Sequence, residues 1–165
     1  MMARVLIAGI GNIMLSDDGF GTEVARRLAT RDLPEGVTAA DYGIRGMHLA
    51  YDLMDGDYDT TIMVDAVSRG GEAGELYVIE ADTDSCADAD VDAHGMTPVA
   101  VIGLLHRFSE TPGRVLVLGC EPACLDEDIG LSEPVAAAVD TAVEQVLELA
   151  VSEARGIPAM AAREE

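Results

Sequence analysis

Three residues in this chain, Asp18, Asp65 and His94, are of the types that metal binding and proton transfer require. Asp18 lies in "GIGNIMLSDDGFG" (9–21), where an apolar run passes into glycines, an asparagine and two adjacent acids. A phosphate-binding turn would offer amide donors and little negative charge at that place. This turn carries acid, so it is suited to meeting a cation or a proton. Asp65 closes the apolar run "TTIMVDA" (60–66), and His94 sits in "DAHGMTP" (92–98), just ahead of a helix-start pattern. Two carboxylates and one imidazole form a partial ligand set for a divalent transition metal, with positions left for water or substrate. Each residue alone has a plainer reading. An acid after a strand often caps a helix, and a single histidine before a helix is often structural. Their joint placement is what points to a site.

That placement depends on the elements between them. Strand-like runs occur at 4–10, 37–42, 60–66, 74–80 and 114–119, and the first, third and fifth are nearly continuous apolar runs, as in strands covered on both faces. Helical spacing lies between them: Phe20, Val24 and Leu28; then Met47, Ala50 and Met54; then a segment with Thr97 as N-cap and Pro98 at the first helical position. The last helix opens at Ser132 and repeats Val135, Val139, Ala142, Val146 and Leu149. The alternation predicts an α/β three-layer sandwich: a mostly parallel twisted sheet of about five strands, with helices on both faces. The link before 74–80 is too short for a helical crossover, so that strand is expected to be antiparallel. Residues 1–155 read as a single domain and 156–165 as a frayed tail. In an open α/β sheet, sites form beyond the carboxyl ends of the strands, which is where Asp18 and Asp65 would fall.

Other motifs fail or stay weak. Gly9 and Gly11 begin a dinucleotide fingerprint, but its third glycine would fall at Met14, and no G-K-[ST] sequence exists. The acidic stretch 81–93 alternates Asp88, Asp90 and Asp92, yet an EF-hand would need Gly at Ala93 and Glu at Val99, so it reads as a solvated loop. His48 and His106 lie in helical stretches and read as helix-face residues. Cys120 and Cys124 are either soft metal ligands or plain reduced thiols, and Cys86 has no evident partner. Gly43 and Gly46, in "DYGIRGM" (41–47), suit a groove for an extended peptide or an ordinary turn.

The 165 residues carry 31 acids against 10 arginines and lysines, a net charge of −21. That disfavours nucleic acid and anionic membranes as partners, since both need clustered cations. It favours a metal ion or a cationic peptide. No apolar run reaches the length of about 18 residues expected of a membrane span. The short apolar start leads into acidic sequence without a cleavage site. With three cysteines, this points to reduced thiols and a cytoplasmic location.

The segments "GIGNIMLSDDGFG" (9–21), "DYGIRGM" (41–47), "VDAVSRGGEAGEL" (64–76), "DAHGMTP" (92–98) and "LGCEP" (118–122) together resemble the hydrogenase maturation proteases. The segments follow the family's order and, with the sequence between them, cover most of the chain up to about residue 150. The resemblance implies an endopeptidase that trims a C-terminal extension from the large-subunit precursor of a nickel–iron hydrogenase, once nickel is in place. It puts the family's metal-contacting positions on Asp18, Asp65 and His94, the family admitting Asp or Glu at the first. Nickel is then expected to arrive with the substrate, whose cysteines complete its coordination, and no organic cofactor is implied. Asp17 reads as a helix-start residue or as a support behind the ligands. Two other functions also fit the residues: a peptidase holding its own zinc, although H-E-x-x-H is missing, and a nickel escort that does not cut.

Overall fold

The computed structural model describes residues 2–83, 97–108, 113–157 and 162–164. Within them, β1 (Val5–Ile10), β3 (Thr60–Ala66) and β5 (Arg114–Cys120) form the parallel centre of a sheet. Their predicted apolar runs are buried on both faces, since helices cover both sides. β2 (Val37–Gly43) lies parallel to β1 at one edge. β4 (Leu76–Ala81) pairs antiparallel with β5, as the short connection before it requires. The strand order is β2-β1-β3-β5-β4-β6.

β6 (Ala162–Glu164) adds a short edge strand, within the stretch expected to be a tail, to the sheet of about five. It pairs parallel with β4, Ile79 opposite Ala162. β4 would otherwise present an open row of backbone donors and acceptors, and a short C-terminal segment can add to such an edge without any apolar pattern of its own.

Helices α1 (Phe20–Leu28) and α4 (Glu133–Ala154) cover one face of the sheet. Phe20, Val24 and Leu28 pack there with Val135, Val139, Ala142 and Val146 against Val5, Ile7, Ile62, Val64, Leu116 and Leu118. Burying each of the larger side chains contributes about 1.5–3 kcal/mol. Helices α2 (Gly46–Asp55) and α3 (Pro98–Arg107) cover the other face, where Leu49, Val101 and Ile102 meet Leu6, Ala8, Ile10, Met63, Val115 and Val117. Thr97 caps α3 as the sequence indicates, its hydroxyl accepting from the Ala100 amide at 3.1 Å. The inward face of α2 differs from the expected one. Leu49 and Ala50 are fully buried, while Met47 is exposed. Leu49, Ala50, Leu53 and Met54 face the packing, so of the expected Met47, Ala50 and Met54 only Met47 turns outward, and Leu49 takes the inward place beside Ala50.

α1 approaches the sheet closely because Gly21 lies in its first turn. A Cβ at Gly21 would come within 2.0 Å of the Val64 carbonyl oxygen and 2.4 Å of that of Ile10. The start of α1 thus lies over the carboxyl ends of β1 and β3. β1 connects through α1 to β2 on one side, and β2 then crosses back through α2 to β3 on the other side of β1, so the strand order reverses at the β1/β3 boundary, a topological switch point.

Candidate active site at the β1–β3 switch point

Asp65 is the penultimate residue of β3 and is buried, with 4% of its surface exposed. Its Oδ1 accepts from the Ala66 amide at 2.8 Å. Burial raises its pKa well above the usual carboxylate range, and the negative charge of Asp18 raises it further, against a smaller lowering by the Ala66 amide. Asp18 sits in a 3-10 turn, Ser16–Gly19, that leads into α1. Its Oδ2 accepts from the Asn12 amide at 2.8 Å.

Gly11 lets these two acids share one place. Its φ is +133°, and a Cβ there would lie 1.9 Å from the Asp18 carbonyl oxygen and 3.3 Å from Asp65 Oδ1. Only glycine provides both that backbone and that space. The Gly11 amide donates to the Gly43 carbonyl at 3.0 Å, which ties the end of β2 to the same spot. Asp18 and Asp65 thus both border Gly11, close enough for the charge of Asp18 to act on Asp65. His94 lies outside the described residues, as do Cys86 and most of the acidic loop. Among the described residues, no group of three or more His, Cys, Asp or Glu side chains could hold a metal ion.

Cys120 is fully buried, and burial, with the charges of Asp17 and Glu121, pushes its thiol pKa up to about 11. A thiol held protonated is a poor metal ligand. Among the described residues, Cys120 and Cys124 form no disulfide. His48 and His106 lie on α2 and α3; His106 Nε2 is 2.7 Å from the Thr83 carbonyl oxygen.

Two acids near the site have roles that the sequence does not announce. Asp17 is fully buried, yet it does not cap α1, whose N-cap is Gly19. Its Oδ2 accepts from the amides of Ala123 at 2.8 Å and Cys124 at 3.0 Å and from the Ser132 hydroxyl at 2.8 Å. Its Oδ1 accepts from the Ser132 amide at 2.7 Å. Burial alone would raise its pKa, but the amides of Ser132, Cys124 and Ala123 and the Ser132 hydroxyl outweigh it and hold the pKa below the usual value. Glu121, in "LGCEP", accepts at Oε1 from the amides of Arg69 (2.8 Å) and Gly71 (2.9 Å) and from the Tyr77 hydroxyl (2.8 Å). It shapes the loop that follows Asp65.

The loop after β5 closes one side of the site. Leu15 and Asp128 form a parallel bridge, the Ser16 amide donates to the Asp128 carbonyl at 2.8 Å, and the Asp128 amide donates to the Met14 carbonyl at 3.0 Å. Between these segments lies an open cavity of about 310 Å³ lined by Asn12, Met14, Leu15, Glu127, Asp128 and Ile129. Met14 is 55% exposed and Ile129 70%, so apolar side chains face solvent at this cavity, which meets Asp18 through Asn12.

A six-stranded mixed sheet between two helix layers, with a buried acid and a second acid near it at the switch point, defines a three-layer α/β scaffold with its candidate site on the strands' carboxyl edge. Residues 22–149 match the family model described as hydrogenase maturation protease. A putative hydrogenase maturation protease of Methanocaldococcus jannaschii is 36% identical over 147 residues, covering 87% of this chain and 94% of that relative. The hydrogenase 2 maturation protease of Escherichia coli is 31% identical over 147 residues, covering 87% and 88%. The solved structure of the hydrogenase maturating endopeptidase HybD from E. coli superposes with a TM-score of 0.72 at 30% identity, covering 95% of this chain and 96% of that one. The chain belongs to the hydrogenase maturation protease family and is an endopeptidase of that class.

Proposed function

We propose that this endopeptidase removes the C-terminal extension of the large-subunit precursor of a nickel–iron hydrogenase after nickel insertion, in the cytoplasm. The observation that carries the reading furthest is the pairing of buried Asp65 with Asp18 beside Gly11. Two carboxyl groups with different surroundings can divide acid and base work between them. Asp18 takes a proton from the water that attacks the scissile carbonyl. Asp65, whose pKa is raised, gives a proton to the departing amine as the C–N bond breaks. Nickel belongs to the substrate in this scheme. Asp18, His94 and the unprotonated oxygen of Asp65 face it, and it marks a precursor ready to be cut.

The cavity walled by Met14, Leu15 and Ile129 suits an extended, partly apolar stretch of the precursor next to the cut. The strong negative charge of the chain attracts a metal-bearing or basic segment and repels nucleic acid. Among the described residues, no helix is long and apolar enough to cross a membrane.

The test is intact-mass analysis of nickel-loaded precursor incubated with protease that was treated with chelator and then desalted. Loss of the extension supports the proposal. A requirement for zinc added to the protease would instead identify a resident-metal peptidase, and binding without any loss of mass would identify an escort.

A further inference from the structure

We infer that Asp17 is a positioning residue for the proteolytic reaction: its carboxylate latches the turn bearing Asp18 to the loop after β5 and so sets where Asp18 stands. The inference rests on the proposed role of Asp18 in catalysis. Asp17 and Asp18 are neighbours in one 3-10 turn, Ser16–Gly19, so neither can shift without carrying the other's backbone. Four donors converge on the Asp17 carboxylate: the amides of Ala123, Cys124 and Ser132 and the Ser132 hydroxyl. The Asp17 amide returns a bond to the Cys124 carbonyl at 3.1 Å, and the Ser16 hydroxyl donates to the Asp126 carbonyl at 2.8 Å.

The latch has a chemical reason to be a carboxylate. Two of the donors, Ala123 and Cys124, lie at Oδ2 and a third, the Ser132 amide, lies at Oδ1. Both side-chain oxygens must therefore accept. Asparagine offers one carbonyl oxygen and one NH2 group, so in either orientation a donor faces a donor. Relief requires the turn or the loop to move. The Asp18 carboxylate, which the Asn12 amide reaches at 2.8 Å, moves with the turn.

The experiment compares wild type, Asp17→Asn, Ser132→Ala and Val139→Ala. Val139→Ala is a control that weakens the core along the same helix, away from the site. All are assayed on nickel-loaded precursor at a temperature where circular dichroism shows them fully folded. Asp17→Asn should lower kcat on the order of 10²-fold with KM little changed, the cost of misplacing a reacting group by a fraction of an ångström to one ångström. Ser132→Ala should change kcat in the same direction by a smaller factor, and Val139→Ala should leave it unchanged. The amide resonance of Asn12 should shift in Asp17→Asn but not in Val139→Ala, whatever the substrate. Wild-type kcat and an unmoved Asn12 resonance in folded Asp17→Asn would overturn the inference. If that variant does not fold, the same result in Ser132→Ala overturns it. A wild-type protein that never cuts the precursor would instead defeat the proposed function, and the Asn12 resonance would then decide the latch by itself.

Discussion

Asp17 reaches Ser132 across 115 residues of chain and holds it twice, from the backbone amide at 2.7 Å and from the hydroxyl at 2.8 Å. Ser132 is the N-cap of α4, so a fully buried carboxylate from the first loop sits at the positive end of the longest helix. A stability prediction follows. The folded-state pKa of Asp17 is depressed, so its contribution is fully present above the unfolded value of about 3.9. It is lost as pH falls through the folded value. Asp17→Asn should cost about 2–3 kcal/mol near neutral pH, the scale of a charge-assisted hydrogen bond. The difference from wild type should shrink below about pH 4. Urea unfolding from pH 2 to 7 measures both, and a constant difference across that range would contradict the assignment.

Asp65 should behave in the opposite way. Its folded pKa is raised by burial and by Asp18, so whatever stability it lends is present at low pH and is lost as pH rises through the folded value. Near neutral pH, the buried acid is a liability retained for chemistry. Asp65→Asn should then be at least as stable as wild type at pH 7 and should lose that advantage toward pH 4. Thermal melts at the two pH values check this. A large destabilisation at pH 7 would make Asp65 a structural residue.

Gly11→Ala should damage both fold and site. The residue's φ of +133° is strained for any L side chain, and the added methyl would strike the Asp18 carbonyl oxygen. Strain of this kind costs about 1–3 kcal/mol before the clash is counted. The expected readout is a drop in melting temperature together with loss of processing by whatever fraction remains folded. A stable, active Gly11→Ala would show that the acids do not depend on that close approach.

Ile129→Ser should separate binding from folding. Ile129 is 70% exposed, so its loss should alter stability by no more than about 0.5 kcal/mol. If the cavity lined by Ile129 seats the precursor, KM for processing should rise severalfold with kcat nearly unchanged. An unchanged KM would remove this wall from the substrate path.

Much of this architecture is written in local pattern. The runs in β1, β3 and β5 are apolar because both faces are covered, and that same burial makes an aspartate at the end of β3 conspicuous. Asp18 stands out because an acid pair follows a glycine-rich turn. The sequence is silent where meaning depends on distant chain. The acceptor role of Asp17 involves partners 106 to 115 residues away, and that of Glu121 involves backbone amides 50 and 52 residues away. No spacing rule joins such groups. On α2 the helical spacing of Met47, Ala50 and Met54 holds for Ala50 and Met54, but Met47 faces out and Leu49 packs in its place. The tail strand β6 is held by the open edge of β4 and not by its own composition.

The central claim is that Asp18 as base and Asp65 as acid move protons in the cut. Asn caps a helix about as well as Asp but is a poor metal ligand and serves as neither general base nor general acid. The most direct measurement is the intact mass of nickel-loaded hydrogenase precursor after incubation with folded wild type, Asp18→Asn or Asp65→Asn. The account predicts that wild type removes the C-terminal extension and that both variants leave the mass unchanged. Removal of the extension by both variants at the wild-type rate would contradict it.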